Sequence, residues 1–236
     1  MATPTFTTLN DPLAANGTYA TGINGNGQIV GYYVDGSGDD QGFIYSGGIY
    51  TTLVGTAYLT PVHTDSVNAQ SASTSTAVAI VPESINNSGE IVGIMPVGLM
   101  WNSATPAAFT YQYGTTGVFT PFAMDGLGYD DFPADTYAQG VNNQGQVVGY
   151  AFETALDGFD ITGTSSLYLL TGNEYLSSFS AFLVYPNSQS TEPQGVNNQG
   201  EIVGNWTGTD ANFSDHFSWL HLQQQRVFIF RRSERR

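Results

Sequence analysis

The chain has 236 residues, a formal net charge of −15 and no Cys, and its five Arg all lie at or after Arg226, with no Lys anywhere. A body without Lys or Arg cannot replace phosphate counterions, which excludes nucleic-acid binding and removes the usual phosphate clamps. Disulfides, thiolate metal sites and thiol catalysis are excluded too. The length suits one domain with a real core, and no apolar run approaches the roughly 20 residues of a membrane span.

In chain order, the first signal is Phe6-Thr-Thr-Leu9, a short strand-like segment. Then comes a sentence written four times: Gly22-Ile-Asn-Gly-Asn-Gly-Gln-Ile-Val-Gly31, Ser84-Ile-Asn-Asn-Ser-Gly-Glu-Ile-Val-Gly93, Gly140-Val-Asn-Asn-Gln-Gly-Gln-Val-Val-Gly149 and Gly195-Val-Asn-Asn-Gln-Gly-Glu-Ile-Val-Gly204. The copies start 62, 56 and 55 residues apart, a period that marks a repeat architecture. In each repeat the tetrad ending in Gly tolerates positive φ, so it reads as a hairpin turn. The flanking Ile and Val residues read as short strands.

A second signal comes later in each repeat: Gln41-Gly-Phe-Ile-Tyr45, Ala107-Ala-Phe-Thr-Tyr111, Ser180-Ala-Phe-Leu-Val184 and Asp215-His-Phe-Ser-Trp219. Its alternation fits a strand with one buried face. Repeat one adds Ile49-Tyr-Thr-Thr-Leu53 and repeat two adds Gly117-Val-Phe-Thr-Pro-Phe122. Each repeat thus reads as four strands in two hairpins, and no segment holds a helical period.

These elements predict an all-β, propeller-like array of about four four-stranded antiparallel blades, in one domain over residues 1–220. The repeat cores lie near 22–53, 84–122, 140–185 and 195–220. Because Phe6–Leu9 nearly copies Tyr50–Leu53, the N-terminal strand is expected to complete repeat four and close the ring; an open stack of sheets is the alternative. Two insertions, Asp65 to Ala79 and Phe152 to Ser178, read as loops, the second holding a plausible extra strand at Ser166-Leu-Tyr-Leu-Leu170. Residues 221–236 are Arg-rich and unlike the body. They read as a frameshift or truncation scar, although Val227-Phe-Ile-Phe230 would suit an added strand. No basic-then-apolar stretch precedes Phe6, so the expectation is that export uses another route or that the start is internal to a longer protein.

Candidate chemistry sits in the turns. Asp35, Asp39 and Asp40 lie around flexible glycines and would suit calcium, but Ser46 stands where an EF-hand loop has its bidentate Glu. Asp210 with Asp215, and Asp125 with Asp130, Asp131 and Asp135, are partial sets of the same kind. For all three, solvated turn residues are the simpler reading. His63, His216 and His221 do not form a metal-binding pattern, and no Gly-x-Ser-x-Gly elbow supports a catalytic triad. No residue is assigned as catalytic. Among 14 Tyr, 14 Phe and 3 Trp, the recurrent Phe43, Phe109, Phe182 and Phe217 read as core. Tyr32, Tyr33, Tyr150 and Trp206, just past the Val-Gly signal, read as a loop surface suited to carbohydrate or protein recognition. Asn16, Asn86, Asn205 and Asn212 begin Asn-x-Ser/Thr sequences.

The recurring Gly-Ile/Val-Asn-Asn-x-Gly-Gln/Glu-Ile/Val-Val-Gly, trailed by a degenerate His-Ala-Phe position, resembles the bacterial extracellular HAF repeat family over residues 5 to about 220. The resemblance implies a propeller-like exported protein, secreted or at the cell surface, and transfers no catalytic residues. The functional expectation is a non-catalytic binding or interaction scaffold. The alternatives are a secreted carbohydrate-active enzyme using loop carboxylates, or a calcium-stabilised scaffold.

Overall fold

A computed structural model of the chain describes residues 6–56, 77–95, 107–114, 119–122, 135–152, 165–171, 188–210, 213–223 and 226–230. Every regular element among them is a strand. Repeat one forms a sheet in the order β1 (Thr18–Ile23), β2 (Ile29–Val34), β3 (Asp40–Ser46), β4 (Ile49–Thr52). A ribbon of β5 (Gly55–Thr56) and β6 (Ala77–Val78) comes next. Repeat two forms a second four-stranded antiparallel sheet from β7 (Val81–Ile85), β8 (Glu90–Met95), β9 (Ala107–Gln112) and β10 (Phe119–Phe122).

Repeats three and four share one seven-stranded sheet: β11 (Asp135–Val141), β12 (Gln146–Phe152), β13 (Ser165–Thr171), β14 (Ser188–Val196), β15 (Ile202–Asp210), β16 (Phe213–Gln223) and β17 (Arg226–Phe230). All neighbours are antiparallel except β13 and β14, which meet in parallel at Ser165 and Ser190. The third strand of repeat three is therefore the inserted Ser165–Thr171; the expected Ser180–Val184 lies outside the described residues. Pairing also runs past residue 220, since Arg226–Phe230 of the tail lies against β16.

The expected closure is not found. Phe6–Leu9 belongs to no strand and Phe6 is exposed, so it does not complete repeat four. That edge is occupied instead by β17, and the described strands form neither a closed propeller nor a closed barrel.

The motif itself builds the first hairpin of each repeat. The N–H of Gly27, Gly89, Gly145 and Gly200 bonds back to the carbonyl of Asn24, Asn86, Asn142 and Asn197, at 3.0–3.1 Å. Each of these Gly has φ between +74° and +84°, as a three-residue hairpin loop with a left-handed last residue requires. The Gly that ends the motif has a different task. Each first strand bulges opposite it, between Ala20 and Gly22, Pro82 and Ser84, Ala138 and Gly140, and Pro193 and Gly195. A Cβ at Gly31, Gly93 or Gly204 would land on the carbonyl oxygen of Tyr19, Val81 or Glu192 across the pair.

Successive repeats pack through these hairpins. Val30, Ile44, Leu53, Ile80, Ile85, Ile91, Met95 and Phe109 form one core between repeats one and two, with Tyr111 and Tyr113 against it. Val148, Ile202 and Val196 form another between repeats three and four. Burying a Val, Ile or Phe side chain contributes about 1.5–3 kcal/mol, so these clusters hold the repeats together.

Candidate binding face and the asparagine ladder

Bulge and turn together fix a cross-strand pair two places before each bulge. In repeat one it is Tyr19 opposite Tyr32, and in repeat three Tyr137 opposite Tyr150. Both pairs stack, with ring centroids 4.9 Å apart and planes inclined by 17° and 21°. The same position holds Val81 opposite Ile94 in repeat two and Glu192 opposite Asn205 in repeat four. Aromatic, aliphatic, aromatic and polar pairs thus succeed one another across the array. Tyr19 is 46% exposed, and Tyr32, Tyr137 and Tyr150 are half-buried.

The charge of one carboxylate is felt by a tyrosine of each stack. Glu83, in β7 of repeat two, sits close enough to raise both the Tyr32 and the Tyr150 hydroxyl. For Tyr150 burial is the largest cause, with Glu192, Tyr137 and Glu83 adding to it, and the hydroxyl is pushed up to about 12. Tyr32 is raised by burial first, then by Asp40, Tyr19 and Glu83. Both rings therefore stay neutral at any physiological pH. Glu83 is itself raised by partial burial. The result is a face of stacked phenols edged by carboxylates, chemistry suited to sugar hydroxyls and C–H faces or to polar peptide.

Of the expected binding residues, Tyr32 and Tyr150 are brought to equivalent places on this face. Tyr33 is not: it is 4% exposed, and its hydroxyl lies 3.3 Å from Thr52 Oγ1. Strand alternation is the reason, because Tyr32 and Tyr33 point to opposite sides of β2 and only one can face out. Trp206 lies in β15 between Thr191 and Ser218. Sequence reasoning misses the partners Tyr19 and Tyr137 and the linking Glu83. The signal for the two tyrosines is a Tyr placed three residues before Gly22 and Gly140 alike.

The expected calcium loop is used by its own backbone. Asp35 Oδ1 accepts from the N–H of Ser37 (2.8 Å) and of Asp39 (3.1 Å), and Oδ2 accepts from Gln41 Nε2 (3.1 Å). Hydrogen bonds from the Asp39 and Ser37 N–H groups hold the carboxyl below its usual range. Asp39 and Asp40 flank this turn, and among the described residues no group of three or more His, Cys, Asp or Glu is gathered to hold a metal. Asp125, Asp130, Asp131 and His63 lie outside the described residues.

The tetrads do more than turn the chain. Asn24 Oδ1 accepts from the N–H of Asn26 and Gln28, while its Nδ2 donates to Gln28 Oε1 (2.8 Å) and to the carbonyl of Asn86 in repeat two (2.9 Å). Asn86 repeats the pattern toward Glu90 and the Asn142 carbonyl, and Asn142 toward Gln146 and the Asn197 carbonyl, each inter-repeat bond being 2.9 Å. A parallel rail runs alongside. The N–H of Gly25, Asn87 and Asn143 donates to the side-chain Oδ1 of Asn87, Asn143 and Asn198 at 2.7–2.9 Å. An amide that spends both hydrogens and its oxygen in this way is fully satisfied, which allows Asn24, Asn86 and Asn142 to be buried. For Asn86, 3% exposed, that burial also removes it from reach as a glycosylation acceptor. Comparison with protein-family models, with curated proteins and with solved structures finds no match.

Proposed function

We propose that the chain is a non-catalytic binding module, extracellular and of the HAF repeat type, whose propeller-like array presents the Tyr19/Tyr32 and Tyr137/Tyr150 pairs as one recognition face. The single observation that carries this reading is the recurrence of a stacked, partly exposed tyrosine pair at the same position in repeats one and three. Core packing does not require such pairs, since repeat two fills the position with Val81 and Ile94 and repeat four with Glu192 and Asn205. A sugar is the favoured ligand: phenol rings offer flat apolar contact at low entropy cost, and the carboxylates accept from hydroxyl groups.

A glycan array with the full chain, then calorimetric titration of the best hit, tests the reading. Tyr32→Ala and Tyr150→Ala should each weaken binding at least tenfold while Tyr45→Ala, on a different strand, does not. An array with no hit, or hits indifferent to both tyrosines, would sink it. A second reading, a carbohydrate-active enzyme, draws on Glu83, whose raised carboxyl has the character of a general acid. Hydrolysis of a bound glycan that is abolished by Glu83→Gln would favour that reading over a binder.

A further inference from the structure

Repeats one, two and three each bury one face against the next repeat along the chain. The last β-branched residue of their motifs, Val30, Val92 and Val148, is fully buried. In repeat four the same residue, Val203, is 47% exposed. The ladder stops at the same place. Asn197 keeps its turn bonds from Gln199 and Glu201 and its bond to Glu201 Oε2, but among the described residues it makes no onward bond like those of Asn24, Asn86 and Asn142. Asn197 and Asn198 are exposed. A Cβ built on Gly22 would meet the Glu83 carbonyl and Ser84 Cα of repeat two at 3.1 Å, and one on Gly140 would meet Gly195 Cα of repeat four at 3.0 Å. On Gly195, among the described residues, it meets only Val203 of its own repeat, at 3.8 Å.

Repeat one carries the opposite face. Ile23 is 66% exposed, whereas its counterparts Ile85 and Val141 are 5% and 6% exposed because the preceding repeat covers them. The Asn24 carbonyl, which among the described residues takes only the Gly27 N–H, has room for the second donor that the Asn86, Asn142 and Asn197 carbonyls accept. Among the described residues, repeat four thus offers unfilled donors and an open Val. Repeat one offers an unfilled acceptor and an open Ile.

We propose that these faces meet head to tail between two molecules, repeat four of one seating repeat one of the next in a fourth junction of the kind already made three times within the chain. Asn197 Nδ2 donates to the Asn24 carbonyl of the second molecule and Val203 packs beside its Ile23. One rung is missing, because Gly25 stands where repeats two to four have Asn87, Asn143 and Asn198, so the Asn198 N–H finds no side-chain oxygen. This junction is therefore weaker than the internal ones, and Gly25 tunes it. Being heterologous, it extends into open chains of molecules rather than stopping at a symmetric dimer. The net charge of −15 opposes it, so added salt strengthens it.

Sedimentation velocity of the full chain between about 1 µM and 1 mM tests the proposal, with circular dichroism as the fold control. The wild type should associate with rising concentration and more so in high salt. Gly25→Asn should tighten association about tenfold by restoring the rung. Val203→Asp (donor face spoiled) and Ile23→Asp (acceptor face spoiled) should each be monomeric alone. Mixed, they should form a one-to-one dimer that does not grow, because each keeps the face the other lost. Asn197→Asp combined with Glu201→Gln tests the hydrogen bond alone and should weaken association. Monomeric behaviour of both wild type and Gly25→Asn overturns the proposal. So does association indifferent to Ile23 and Val203. A monomer destabilised by both Asp variants, as buried residues would be, also overturns it, because the two faces then close on each other within one chain.

Discussion

The Asn86 turn and the Asn197 turn have nearly the same sequence and nearly the same internal hydrogen bonds, yet one is buried and the other exposed. The difference lies in the neighbouring repeat. Asn86 is covered by repeat three, and Asn197 by nothing among the described residues. The same four residues therefore do two separable things: they turn the chain inside a repeat, and they couple one repeat to the next. In repeat-built proteins stability is close to a sum of such internal and junction terms, and the two turns isolate the second.

The largest expected effect comes from exchanging one atom. Asn86→Asp keeps the oxygen that accepts from Ser88 and Glu90 but turns the donating nitrogen into an oxygen facing Glu90 Oε2 and the Asn142 carbonyl. Burying an uncompensated charge there should cost about 4 kcal/mol at neutral pH, seen as a lower denaturant midpoint and partly recovered in acid. Asn197→Asp, exposed and facing Glu201 among the described residues, should cost about 1 kcal/mol or less. Equal losses would mean that junction bonds contribute nothing and the turn everything.

Gly93→Ala and Gly204→Ala supply the control. The bulge that crowds both glycines is internal to each repeat, so both should lose about 3 kcal/mol irrespective of position in the array. A much milder Gly204→Ala would show that the last repeat gives way where the second cannot. Next in size is the apolar part of the junction. Val92→Ala should cost about 2 kcal/mol and Val203→Ala less than about 0.5 kcal/mol in dilute solution, measured by urea unfolding.

The same division separates what is legible in the sequence from what is not. Hairpins, the all-β class and the four-stranded units of repeats one and two are legible, because turn geometry and strand alternation act within a few residues. Coupling between repeats is not, because Asn satisfies a tight turn unaided and so hides a second role. A clue is nevertheless present: the turn does not need Asn87, Asn143 or Asn198, and only repeat one lacks that residue. Ring closure fails for a related reason. Phe6-Thr-Thr-Leu9 matches a strand in composition, but a strand exists only where an edge accepts it, and β17 holds that edge. On the candidate face, the sequence points to Tyr32 and wrongly to Tyr33, since adjacency in sequence places neighbours on opposite sides of a sheet.

The smallest effect concerns Glu83, whose charge reaches Tyr32 and Tyr150. Partial burial raises its carboxyl above the usual range. For an acid raised in the folded state, the unfolded chain releases its proton first, so the folded form holds more protons over the interval between the two values. Stability then falls as pH rises from the ordinary Glu value through the raised one, and the penalty is complete above it. Glu83→Gln removes that penalty, so the variant should match wild type in acid and melt slightly higher at neutral pH, by no more than about 2 °C after solvent screening. A neutral-pH melting temperature lowered by Glu83→Gln would mean that the charge is held by a partner rather than merely tolerated, and that the acidic edge of the tyrosine face is built to stay ionised.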